Sequence, residues 1–60
     1  MYTAIIIDDE LDAINALSKL LGKFSQHKIS VVGSASNLLD GVGLIHKYNP
    51  DIVFIDINMP

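Results

Sequence analysis

The chain has 60 residues and a net charge of −3, with four lysines, no arginine and no cysteine, which bounds it to one small domain. A surface this poor in basic groups excludes nucleic-acid binding by the segment, because phosphate contacts need lysine and arginine. Without cysteine there is neither a disulfide nor a thiolate metal site. Half of the residues are hydrophobic, yet no apolar run approaches the ~20 residues of a membrane span. Met1-Tyr2-Thr3-Ala4 lacks the basic region and apolar core of a secretory signal, so a cytoplasmic location is expected.

Thr3 to Ile7 is β-branched and almost continuously apolar, the composition of a strand covered on both faces in a parallel sheet. Asp8 or Asp9 can cap a following helix. Leu11, Ile14, Leu17, Leu21 and Phe24, with Ala13 and Leu20, recur at helical spacing, while Asp12, Asn15, Lys19 and Lys23 fall mainly on the other side. This predicts a helix over 10–24, weakened slightly by Gly22. After a short polar connection over 25–28, residues 29–35 read as a second strand centred on Val31 and Val32, with Gly33 marking a bend or a close backbone approach. Ser36 or Asn37 can cap a second helix running to about Tyr48 on Leu38, Leu39, Val42, Leu44 and Ile45. Gly41 and Gly43 make it the weakest element by propensity. Asn49-Pro50-Asp51 is a stop. Ile52-Val53-Phe54-Ile55 is a third buried strand.

The order β-α-β-α-β places the chain in the α/β class. If the second and third strands lie on either side of the first, in a parallel sheet of order 2-1-3, right-handed crossovers put the two helices on opposite faces. The switch point then lies between the first and third strands, whose carboxyl ends carry Asp8-Asp9 and Asp56. Ligands bind at such points in open α/β sheets. Taken singly, acids after a strand are ordinary helix caps or turn residues. Paired at adjacent strand ends they describe a site. Close carboxylates repel, and a divalent cation relieves the repulsion. Mg2+ suits them, since it takes oxygen ligands and keeps waters. A carboxylate beside such an ion can accept a phosphoryl group as an acyl phosphate.

Ile5-Ile6-Ile7-Asp8-Asp9-Glu10 together with Asp56-Ile57-Asn58-Met59-Pro60 resembles the receiver domain of two-component response regulators. Val31-Val32-Gly33-Ser34-Ala35 and Asn49-Pro50-Asp51-Ile52-Val53 also look like that family. The resemblance implies a flavodoxin-like fold, of which residues 1–60 are the N-terminal half. It implies Asp56 as the phosphoacceptor and a sensor histidine kinase as donor and partner. It implies Mg2+ held by Asp8, Asp9, Asp56 and the backbone carbonyl of Asn58, with Asp9 a direct ligand and Asp8 acting nearby. Met59 and Pro60 shape the loop after the acceptor. The N-terminal half is also similar to regulators that carry a LytTR-type DNA-binding domain, so transcription regulation would belong to an effector elsewhere.

The family's fourth and fifth strands, with their Ser/Thr and Lys, have no counterpart in these residues. The third strand is then an edge, and an isolated polypeptide is expected to self-associate through it or to fold poorly. Two other readings stand beside the signalling module. One is an inert or structural fragment of a receiver. The other is a phosphohydrolase with an aspartate nucleophile, which usually carries a second acid where Asn58 stands. His27 and His46 read as surface histidines, and Gly41 and Gly43 lack the spacing and lysine of a phosphate loop.

Overall fold

The computed structural model describes residues 1–24 and 28–56, the side chain of Phe24 excepted. Five elements follow in the expected order: β1 (Tyr2–Asp8), α1 (Leu11–Phe24), β2 (Ile29–Ala35), α2 (Leu38–Tyr48) and β3 (Ile52–Asp56). They build a three-stranded parallel sheet in the order β2-β1-β3. Both outer strands pair with β1, which is why its apolar run is unbroken: Ala4, Ile5, Ile6 and Ile7 are essentially inaccessible to solvent. With successive side chains on opposite faces, a central strand has no side left for water.

The helices cover the two faces of β1. Gly41 of α2 packs against Ile7, and Leu17 of α1 lines a cleft at the carboxyl ends of β1 and β3. With the outer strands on either side of β1, right-handed crossovers put the two helices on opposite faces of the sheet. Gly41 is the buried residue of α2. A methyl group there would fall within 2.8 Å of Ile7 Cγ1 and nearer still to its Cδ1. The glycine that weakens the helix by propensity is therefore what lets it approach the sheet. Gly43 faces open space. Gly33 follows a register irregularity: Ala4 pairs with Val31 but Ile5 pairs with Gly33, so Val32 is the extra residue of a bulge. A Cβ at Gly33 would lie 3.4 Å from Leu44 Cδ1, an ordinary contact, so the glycine marks the bend and not a close backbone approach.

The apolar stripes are covered only in part. Ile14 of α1 is buried, but Leu11 and Leu20 are exposed. In α2, Leu38, Leu39 and Val42 are exposed, while Leu44 and Ile45 are half-buried. The backbones of both helices run close to β1 and β2 and not to β3, and Leu17 of α1 lines a cleft together with Phe54 and Ile55 of β3. Asn37 is the N-cap of α2. Its Oδ1 accepts from the Asp40 N–H at 2.8 Å, and its Nδ2 donates to Asp40 Oδ2 at 2.9 Å. Asn49 closes the helix in the left-handed conformation (φ 46°), its N–H donating to the Ile45 carbonyl at 2.8 Å. The connection 25–27 and residues 57–60 lie outside the described residues.

Candidate functional site

The β1–β3 register runs Ala4↔Ile52, Ile5↔Val53, Ile6↔Phe54, Ile7↔Ile55 and Asp8↔Asp56. Asp8 and Asp56 therefore stand opposite each other at the carboxyl ends of adjacent strands, which in a parallel sheet lie about 4.8 Å apart. Both line a cleft of about 190 Å3 whose remaining walls are Ile6, Ile7, Leu17, Phe54 and Ile55. Two carboxylates thus crown a hydrocarbon floor, where charge interactions are less screened than in open water.

The two acids differ in environment. Asp8 is buried, with 9% of its surface exposed, and its Oδ1 accepts the Glu10 N–H at 2.9 Å. That bond turns the chain into α1, where the Glu10 carbonyl accepts from the Ala13 and Ile14 N–H groups at 3.1 and 3.2 Å. Asp8 is thus both the turn former and a wall of the cleft. The bond is a turn ahead of α1 and not a cap on the helix's own N–H groups, and it leaves the second oxygen of the carboxylate to the cleft. Asp56 and Asp9 are exposed.

The structure brings Asp8 and Asp56 together and leaves Asp9 outside the cleft lining. Among the described residues no three acids or histidines are grouped closely enough to hold a metal ion. Asn58 lies outside the described residues. The donors at the cleft are carboxylate oxygens, the chemistry that a hard cation such as Mg2+ accepts, and one or two carboxylates with waters suffice for it. His46 is exposed near the end of α2 and stays apart from the cleft. Among the described residues no helix is long and apolar enough to cross a membrane.

The family model of the response regulator receiver domain matches residues 4–60. The chain belongs to the response regulator receiver family. A receiver is a signalling module of two-component systems, and its strand order is the one found here. The chain is 45% identical to an uncharacterised response regulatory protein of Vibrio cholerae and 47% identical to one of Vibrio parahaemolyticus. It is 42% identical to the transcriptional regulatory protein BtsR of Escherichia coli K12. In each case the similarity covers all of this chain and 24% of the relative, so the chain spans about a quarter of those proteins' length.

One polar constellation of this receiver escaped the reading of its sequence. Asp51, taken as part of a turn, bonds to Thr3 through both side chain and backbone at the amino ends of β1 and β3. The available signal was an acid directly before an apolar strand, aligned with a threonine at the start of the other. Without the register that alignment is invisible.

Proposed function

We propose that the chain is the N-terminal half of a receiver whose Asp56 accepts a phosphoryl group from a sensor histidine kinase. The observation that carries this reading is the register pair Asp8↔Asp56 over an apolar cleft. In the transfer, a carboxylate oxygen of Asp56 bonds to phosphorus as the donor's bond to that phosphorus breaks, leaving an acyl phosphate on the side chain. Asp56 is exposed at the end of its strand, where a donor can reach it in line. Asp8 and Asp56 would hold Mg2+ together with waters; when bound, the ion neutralises charge developing on the phosphoryl oxygens. The hydrocarbon of Ile6, Leu17 and Phe54 beneath the acids limits water around them. The role is that of a substrate for a kinase, not that of an enzyme. In a longer protein resembling the relatives, the phosphorylated state would be read by an effector, and the similarity to a transcriptional regulatory protein favours a DNA-binding one, of LytTR type.

The test is incubation with a small-molecule phosphodonor and Mg2+, followed by mass spectrometry of intact protein and peptides. A gain of about 80 Da, one phosphoryl unit, on the peptide containing Asp56 and absent under chelation is expected. No adduct under either condition favours the inert fragment, and a donor hydrolysed catalytically without lasting adduct favours the phosphohydrolase.

A second partner is proposed from the sheet edge. Among the described elements β3 pairs only with β1, and Ile52 to Ile55 contain no lysine, proline or charge to blunt the other edge. Ile55 is 57% exposed. An isolated 60-residue chain is expected to associate with further copies through this strand. Sedimentation velocity across a concentration series should show species larger than a monomer. A single monomeric species that melts cooperatively would refute it.

A further inference from the structure

We infer that Asp51 is a positioning residue that sets the register of β3 on β1, and so places Asp56 opposite Asp8; the inference rests on Asp56 being the acceptor. Among the described elements β3 forms ladder bonds with β1 alone, and the backbones of α1 and α2 run close to β1 and β2 rather than to it. Its run Ile52-Val53-Phe54-Ile55 is apolar on both faces. Hydrophobic burial chooses a register when one face is apolar and the other polar, because a one-residue slip then exposes the wrong set. Here such a slip exchanges isoleucine and phenylalanine for valine and isoleucine, and burial scarcely distinguishes the alternatives.

A polar contact at the strand's beginning does distinguish them. Asp51 Oδ2 accepts the Thr3 N–H at 2.8 Å and the Thr3 hydroxyl at 3.3 Å. In return the Asp51 N–H donates to the Thr3 carbonyl at 3.0 Å, with Thr3 Oγ1 at 3.3 Å. A carboxylate acceptor makes the N–H bond stronger than a neutral pair would be. The contact stands one step before the first ladder pair, Ala4↔Ile52, and counting forward from it reaches Asp8↔Asp56 at the far end. The left-handed Asn49 and Pro50 end α2 directly before Asp51, so the acid reaches Thr3 from a short, stiff connection. A slip of one residue would turn the Asp56 side chain to the sheet face opposite Asp8. A slip of two would carry it about 6.6 Å along the strand. Either disassembles the pair of acids without unfolding the sheet.

The experiment compares wild type, Asp51→Ala and Asp51→Asn in the 60-residue chain. One readout is the initial rate of Asp56 phosphorylation by a small-molecule donor with Mg2+. The other is the set of β1–β3 cross-strand NOEs by NMR without donor. Asp51→Ala is expected to slow phosphorylation about three- to tenfold, the range that corresponds to the net worth of one hydrogen bond of ordinary strength, since the contact is exposed to water, and to weaken or shift the Ile6–Phe54 and Asp8–Asp56 NOEs. Asp51→Asn keeps an oxygen acceptor for Thr3 and is expected to stay within about twofold of wild type, since the neutral acceptor only weakens the bond. Ile14→Val perturbs the core at a buried residue outside the cleft lining and should leave the rate of the folded protein unchanged. That contrast separates positioning from general destabilisation. A folded Asp51→Ala with wild-type rate and NOEs overturns the inference. If Asp51→Ala does not fold, Asp51→Glu moves the acceptor by one methylene while keeping its charge, and wild-type behaviour there overturns it equally. If wild type itself takes up no phosphoryl group, the acceptor reading fails, and the NOE comparison alone decides whether Asp51 sets the register.

Discussion

Replacing Asp56 with asparagine is expected to abolish the phosphoryl adduct while leaving the fold intact. The amide is nearly the same size as the carboxylate, so β3 keeps its shape, but it offers no anionic oxygen to attack phosphorus. Asp56 is exposed at the end of its strand, so stability should change by no more than about 0.5 kcal/mol. Asp8→Asn should behave differently. Its Oδ1 can still accept the Glu10 N–H, the bond seen at 2.9 Å, so the entry into α1 survives, while one of the two charges at the cleft is lost. Phosphorylation should then persist at Asp56 but require more Mg2+. Both outcomes are read by mass spectrometry over a Mg2+ titration, beside a thermal melt. An adduct that survives Asp56→Asn would mean that another residue is the acceptor, whatever the family resemblance.

The second large effect concerns two glycines of α2 that sequence reading treats alike. Gly43→Ala should stabilise the protein by about 0.5–1 kcal/mol, because the helix gains propensity and the new methyl group meets nothing within 4 Å. Gly41→Ala gains the same propensity but drives its methyl into Ile7, whose side chain is fully buried and cannot swing clear. Overpacking costs about 1–3 kcal/mol, so after the propensity gain of about 0.5–1 kcal/mol the net change should be a destabilisation of up to about 2.5 kcal/mol. In a domain this small each kcal/mol moves the melting temperature by about 4–8 °C, so the two substitutions should shift Tm in opposite directions. Ile7→Val removes Cδ1, the atom nearest the new methyl group, and should rescue Gly41→Ala in part. Strict additivity of the two changes would show that the contact with Ile7 is not the cause.

These glycines mark where local reading stops. Propensity is a property of one residue, and Gly41 and Gly43 have the same one. Which of them faces the sheet depends on where α2 lies across β1. The apolar stripes behave similarly. Leu11, Leu20, Leu38 and Leu39 carry the helical period as clearly as Ile14 and Leu44, yet they are exposed, because coverage depends on the width of sheet beneath the helix. Thr3 and Asp51 lie 48 positions apart, and no pattern in the chain joins them.

Much else was legible in the residues. Period and punctuation placed the five elements to within about a residue, because β-branched runs, caps and the Asn-Pro stop act through local sterics and local hydrogen bonds. If the outer strands flank the first, handedness puts the helices on opposite faces, and the order 2-1-3 that the structure shows sets Asp8 and Asp56 at neighbouring strand ends. What local forces leave open is decided across the chain. The pairing of Asp8 with Asp56, the tie between Thr3 and Asp51 and the seat of Gly41 on Ile7 are contacts between distant segments. They follow from a register and a docking distance that local propensity does not encode.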